Sequence, residues 1–88
     1  MRKSEDLFLD FWVVRVREFR VKMSLSQETL AEKLHVNVRN YQKLERGVHQ
    51  PSATTLALFL GQLTDQEILA FVHTFGKLAK AGQSEEVA

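Results

Sequence analysis

The chain of 88 residues has no cysteine, a single proline and only four glycines. The absence of cysteine excludes a disulfide framework and a thiolate metal site, and it favours a reducing, cytoplasmic location. Because proline and glycine are rare, long helices joined by short loops are expected. No apolar run approaches the roughly 20 residues that a membrane-spanning helix needs, so we predict that the protein has no membrane partner.

The motifs of catalysis are missing as well. The three histidines are not spaced as metal ligands, either with one another or with a pair of carboxylates. The sequence contains neither a glycine-rich phosphate loop nor a nucleophile elbow. We therefore predict that the protein is not an enzyme and binds neither a cofactor nor a metal ion.

The composition is that of one globular domain. Hydrophobic residues account for 44% and charged residues for 26% of the chain, which are ordinary values. A chain of this length has room for one core. We predict a single domain over residues 1–82. The C-terminal residues are small, polar and acidic, so a disordered tail is predicted over residues 83–88.

Residues 26–47 carry the clearest structural signal. Leu30 and Leu34 recur with helical spacing and predict a short amphipathic helix. Tyr41 and Leu44, three residues apart, predict the inner face of a second short helix. The stretch therefore predicts two packed helices with a tight turn between them.

Residues suited to helix ends stand at regular places around these two helices. Short polar side chains can accept hydrogen bonds from the free amides of a first helical turn. They predict helix starts at Ser4, Ser26, Asn37, Ser52 and Thr64. Gly47 stands where the second helix needs a left-handed residue to end.

The flanking segments are also helical in pattern. A first helix is predicted over residues 4–22, where Trp12 and Phe19 share an apolar face. A fifth helix is predicted over residues 65–80, with many large apolar residues. Together with a helix that begins after Ser52, these segments predict an all-α chain of five helices.

The residues of the central stretch resemble a known family. The pattern is Ser26-Gln27-x-x-Leu30-Ala31-x-x-Leu34-x-Val36-Asn37-x-x-x-Tyr41-Gln42-x-Leu44-Glu45-x-Gly47, followed by Pro51-Ser52-x-x-x-Leu56. It is similar to the DNA-binding domains of the phage repressor/Cro (XRE) family. The resemblance implies a five-helix, lambda-repressor-like domain with a helix-turn-helix at helices 2 and 3. It also implies that double-stranded DNA is the partner.

In that family the second helix of the motif enters the major groove of DNA. Matched to the family, Val38, Arg39 and Lys43 fall where base contacts are usual. An arginine can pair with guanine through two hydrogen bonds, and a valine can contact the methyl group of thymine. The resemblance and the charge pattern assign contacts with the DNA backbone or the groove edge to Gln27, Asn37, Asn40, Gln42, Arg15, Arg20, Lys22 and Arg46. The basic residues of helix 1 could equally be ordinary solvent-exposed residues that do not contact DNA.

The distribution of charge supports a nucleic-acid partner, although the net charge is only +1. Residues 12–50 hold eight Lys and Arg against four Glu, whereas the segments before and after hold more acids than bases. Positive charge is therefore concentrated on the motif, as a phosphate-facing surface requires. Glu45, within the motif, is expected to pair with a basic residue of a neighbouring helix and not to read bases.

One small domain makes few phosphate contacts, so we predict a homodimer on a pseudo-palindromic operator, with repression as its regulatory role. The apolar residues left over on helices 1 and 5 are assigned to the dimer interface. They are Leu7, Phe8, Phe11, Ile68, Phe71, Val72 and Phe75.

A second interpretation stays open beside this one. The excess of apolar residues on helices 1 and 5 also suits a protein-interaction module of the same fold, such as an antitoxin-like or co-regulator adaptor with a protein partner. The two interpretations are not exclusive. Binding that weakens steeply with salt favours DNA as the partner, whereas salt-independent association favours a protein.

Overall fold

The structure is a computed structural model that describes the backbone of residues 3–87 and the side chains of residues 3–81. The helices are α1 (Ser4–Lys22), α2 (Gln27–Lys33), α3 (Val38–Glu45), α4 (Ala53–Leu60) and α5 (Asp65–Val87). The predicted all-α fold of five helices, with the helix-turn-helix at α2 and α3, is confirmed. The predicted tail, residues 83–88, falls outside the described side chains and stays a prediction.

Four of the five predicted helix starts carry the hydrogen bonds of N-caps; the exception is α1, where Ser4 is the first helical residue and no side chain caps the helix. The side chains of Ser26, Asn37 and Ser52 each accept from the backbone N–H three residues on, at 3.0, 2.8 and 3.1 Å. At α5 the Thr64 hydroxyl accepts from the Glu67 N–H, and the Glu67 carboxylate accepts from the Thr64 N–H. These reciprocal bonds form a capping box, so four of the five helix starts are specified by residues next to them.

Three residues at helix ends adopt left-handed backbone conformations. They are Ser24, His35 and Gly47, with φ values of 55°, 58° and 73°. At Gly47 a Cβ atom would also lie 3.1 Å from Cγ2 of Val13 on α1. Glycine is therefore required there both for its conformation and for the close approach of the loop to α1.

The core lies between α1, α4 and the helix-turn-helix. Trp12, Leu30, Leu34 and Tyr41 are at most 1% exposed. The Trp12 ring packs edge-on against Phe59 of α4, with centroids 5.1 Å apart. This packing fixes α3 from its inner side, so its outer side is left for other contacts.

A second aromatic cluster joins α1 to α5. Phe8 and Phe11 of α1 meet Phe71 and Phe75 of α5 with ring centroids 4.9 to 6.3 Å apart. Phe11 and Phe71 are only 6% and 7% exposed. The structure thus removes Phe11 and Phe71 from the predicted dimer interface, because these two rings lie in the core of one chain and have almost no surface left for a partner.

None of the helices described by the structure combines the length and the apolar character needed to span a membrane. No group of His, Asp and Glu side chains among the described residues could hold a metal ion.

Candidate nucleic-acid interface

The outer face of α3 is polar and cationic. Tyr41 and Leu44 are buried behind it, as predicted. Arg39 is exposed and Lys43 is half-buried, so both side chains can be reached from outside. Val38 is also half-buried and packs against the core, so the fold already uses part of the surface that was predicted to contact bases.

The cations of α3 and its C-terminal end are not neutralised by the protein. In the part of the chain that the structure describes, Arg39, Lys43 and Arg46 form no ion pair. Unpaired cations on an accessible helix face attract phosphate groups and the acceptor atoms of bases. This face therefore has the charge that DNA binding needs.

Arg20, which was predicted to contact the DNA backbone, is instead held by Glu45 at the end of α3. Its Nε and Nη2 atoms donate to the two carboxylate oxygens at 2.9 Å each. The Glu45 side chain is 6% exposed and that of Arg20 is 22% exposed. Arg17 also donates to the backbone carbonyl of Glu45, at 3.0 Å. The prediction for Arg20 is thus corrected, because its guanidinium group faces the protein.

The Glu45 carboxylate is kept ionised by this arrangement. Burial by itself raises the pKa of Glu45, but the hydrogen bond from Arg20 and further polar contacts outweigh it. The net pKa of Glu45 lies below the ordinary value of a glutamate. The expected pairing of Glu45 with a basic residue of a neighbouring helix is what the structure contains.

The other two α1 cations predicted to contact DNA are also paired. Arg15 lies 3.0 Å from the Glu18 carboxylate, and its guanidinium carbon sits 4.9 Å from the centre of the Phe11 ring. Lys22 donates to Glu67 of α5 at 2.7 Å. Neither cation is free in the way that Arg39 and Lys43 are.

A chain of amides connects Glu45 to the exposed face. Gln27, the first residue of α2, donates through Nε2 to Oε1 of Glu45 at 3.4 Å. Gln42, exposed on α3, donates through Nε2 to Oε1 of Gln27 at 3.1 Å. The structure therefore places two predicted DNA-contact residues side by side. The sequence could not show this chain, because its bonds join residues 15 and 18 positions apart.

The two asparagines at the start of α3 have different roles. The Asn37 side chain accepts from the Asn40 N–H at 2.8 Å and so caps the helix. Its oxygen is committed to the fold, whereas the Asn40 side chain is exposed. Both still lie at the end of α3 that enters the groove in this docking geometry.

A capped α3, anchored by the core and carrying unpaired cations outward, defines a DNA-binding domain of the helix-turn-helix class. A family model described as helix-turn-helix matches residues 16–63, more than half of the chain. The protein belongs to the helix-turn-helix family of the phage repressor/Cro (XRE) type, whose members are DNA-binding regulators and not enzymes. Neither a curated protein nor a solved structure gives a significant match.

Proposed function

We propose that the protein is a sequence-specific transcriptional repressor that acts in the cytoplasm as a homodimer on a pseudo-palindromic operator. In this proposal α3 enters the major groove, and the two copies of α3 read half-sites about 34 Å apart. The observation that carries the proposal is the set of cations on the accessible face of α3 and at its C-terminal end that pair with no acidic group among the described residues, namely Arg39, Lys43 and Arg46.

The contacts divide between bases and backbone. Arg39 and Lys43 contact base edges, and the exposed part of Val38 meets a thymine methyl group. The polar and charged side chains around them contact phosphates or the groove edge, and these are Gln27, Asn37, Asn40, Gln42 and Arg46. Arg20 is left out of this set because Glu45 holds it.

The DNA test is a selection from random duplexes, followed by affinity measurements at several salt concentrations. Arg39→Ala should reduce discrimination at one base position of each half-site by about 1–3 kcal/mol, with the fold unchanged. Lys77→Ala is the matched control, because it removes one exposed positive charge from α5. A selection that yields no common sequence, or an Arg39→Ala profile equal to that of the control, would refute the proposal.

The dimer is proposed to form through an apolar strip on the outer side of α5. Leu69 and Val72 are 57% and 53% exposed and lie three residues apart on one helix face. One turn further on, Gly76 has open space where a Cβ would be. Of the predicted interface residues, Val72 is retained. Ile68, next to Leu69 on α5, is half-buried, and so is Leu7 on α1.

A charged residue in this strip tests the dimer. Val72→Glu should convert the protein to a monomer, as measured by analytical ultracentrifugation, because a carboxylate would be buried without a partner. Thr74→Glu, on the opposite side of α5, is the control and should leave the mass unchanged. A dimer that persists in Val72→Glu would exclude this surface.

A protein partner is the second candidate, and one observation favours it. Val14 and Val21, seven residues apart on α1, are 46% and 68% exposed. This surface lies apart from the α5 strip and could bind an apolar segment of another protein. Association with a protein that is insensitive to salt, in the absence of DNA binding, would favour this function over the first.

A further inference from the structure

In the hydrogen bonds that link Gln42, Gln27 and Glu45, Gln42 donates to Gln27 and Gln27 donates to Glu45. The opposite order of donors and acceptors is not possible. An ionised carboxylate can accept hydrogen bonds but cannot donate them. Gln27 must therefore turn its NH2 group toward Glu45, at 3.4 Å, which leaves its oxygen toward Gln42. Gln42 must in turn present its NH2 group to that oxygen, at 3.1 Å. The oxygen and nitrogen of an isolated side-chain amide can exchange places by rotation, but these linked hydrogen bonds permit only one arrangement.

The carboxylate at the start of this chain is held firmly. Arg20 binds both oxygens of Glu45 at 2.9 Å, and Nε of Arg17 lies 3.7 Å from Oε1. With 6% of its side chain exposed, Glu45 has no room to turn toward water. The direction of the chain is therefore set from inside the protein.

The exposed end of the chain is the amide edge of Gln42. One N–H of Gln42 is used by Gln27, so the second N–H and the oxygen remain for a ligand, side by side and in a fixed order. Gln42 is exposed three residues after Arg39, on the accessible face of α3. A glutamine amide pairs with adenine by accepting from N6 and donating to N7. In the flipped order its oxygen would face N7, and two acceptors would repel each other.

We infer that Glu45 is a positioning residue for base recognition, which fixes through Gln27 the order in which Gln42 presents its acceptor and donor and so directs Gln42 to adenine. The inference rests on the proposed DNA-binding function. It moves Gln42 from the groove edge to a base, and it gives the core residue Glu45 an effect on specificity without any contact with DNA.

The experiment compares base-preference profiles of variants on the operator that the wild type selects. Gln42→Met identifies the base pair that Gln42 reads, because the preference there should disappear. Gln27→Met keeps the length of the side chain and the Arg20–Glu45 pair but removes the hydrogen bonds that link Glu45 to Gln42. Glu45→Gln lets the chain run in either direction, because an amide both donates and accepts. Each of these two variants should lower the preference for A·T at that same base pair by about fivefold, the effect of one hydrogen bond.

A double variant separates positioning from a structural role. In Gln27→Met/Glu45→Gln the preference at that base pair should equal that of Gln27→Met alone, because the link is already broken. A merely structural Glu45 would lower stability and weaken binding to all duplexes equally, without changing the profile. Gln66→Met, an exposed glutamine on α5, is the control for the substitution itself. If Glu45→Gln does not fold, Gln27→Met alone still decides the question.

Three results would overturn the inference. They are a Gln42→Met profile equal to the wild type, a uniform loss of affinity in Gln27→Met with preferences intact, and a Glu45→Gln effect on preference that persists in the Gln27→Met background. Failure of the proposed function is a different result. In that case the wild type selects no sequence and Arg39→Ala changes nothing. If the wild type selects a site that depends on Arg39 while Gln42 has no preferred base, only the present inference fails.

Discussion

The helices α1 and α3 both carry several basic residues, but the protein uses the two sets differently. Each cation of α1 described by the structure lies within 4 Å of a carboxylate, and the pairs are Arg15–Glu18, Arg17–Glu45, Arg20–Glu45 and Lys22–Glu67. On α3 neither Arg39 nor Lys43 has such a partner among the described residues. A basic segment therefore shows where positive charge is concentrated, whereas the tertiary pairing decides which charges remain for DNA.

One carboxylate accounts for two of these four ion pairs. Glu45 closes α3 and lies against α1, where it engages two arginines at once. The C-terminal end of α3 thus binds α1 through ion pairs, while the cations on the outer face of α3 have no such partner among the described residues. If this contrast is right, substitutions in α1 should affect stability and substitutions in α3 should affect DNA binding.

The largest effect is expected for Arg20→Met. Loss of the two hydrogen bonds would leave the Glu45 carboxylate, 6% exposed, without its main partner. Removing one partner of a buried ion pair lowers the free energy of unfolding by about 3 kcal/mol or more. We expect the lower value here, because Arg17 and Gln27 still contact the Glu45 carboxylate. Urea denaturation should show this loss in the free energy of unfolding.

Arg17→Met is the control for that measurement. The Arg17 side chain is 53% exposed and 3.7 Å from the carboxylate, so solvent screens the pair and the loss should be less than about 1 kcal/mol. Equal losses in the two variants would mean that Arg20 is no more structural than an ordinary surface arginine.

The sequence predicted the local features of this fold well. Caps such as Ser26 and Asn37, and the left-handed Gly47, act on backbone groups only a few residues away, so their effect can be read from neighbouring positions. The inner face of α3, with Tyr41 and Leu44, follows from helical spacing for the same reason.

The sequence could not show which residues meet across helices. Arg20 and Glu45 are 25 positions apart, and several other acids and bases could have formed the pair. The helical spacing of Phe11 and Phe71 marks them as apolar surface but does not give the partner, and they were predicted to contact a second copy of the chain. The packing of α5 along α1 places both rings in contact with each other instead. Such choices depend on how the helices pack, which no local pattern encodes.

A second prediction compares Arg46 with Lys22 in DNA binding. Arg46→Ala should reduce the slope of log affinity against log salt by about one unit, because an exposed arginine that contacts a phosphate displaces one counterion from DNA. Lys22→Ala should leave the slope unchanged, because Lys22 is occupied by Glu67 at 2.7 Å. Fluorescence anisotropy over a salt series measures both. A slope that falls in both variants would show that Lys22 leaves Glu67 when DNA binds and contacts a phosphate. In that case α1 would also supply cations for DNA.

The smallest effect is expected at the exposed pair of α1 and α5, and it appears only in acid. Lys22 and the backbone N–H of Thr64 lower the pKa of Glu67 from its ordinary value of 4.5 to about 2. The folded state therefore binds fewer protons at Glu67 than the unfolded state does. The resulting stabilisation is complete above about pH 5, and it is lost as the pH falls toward 2.

Melting temperatures of the wild type and Glu67→Gln between pH 7 and pH 2 measure this contribution. A glutamine can still accept from the Thr64 N–H, so the variant keeps the cap but loses the charge. The difference in melting temperature should shrink as the pH falls through this window, and it should also shrink in high salt because the pair is exposed. The acid sensitivity that remains in Glu67→Gln should include that of Glu45, whose pKa is also lowered but whose pair is shielded from solvent. A constant difference across the whole pH range would mean that the pKa of Glu67 is not shifted and that Lys22 is as free for DNA as the cations of α3.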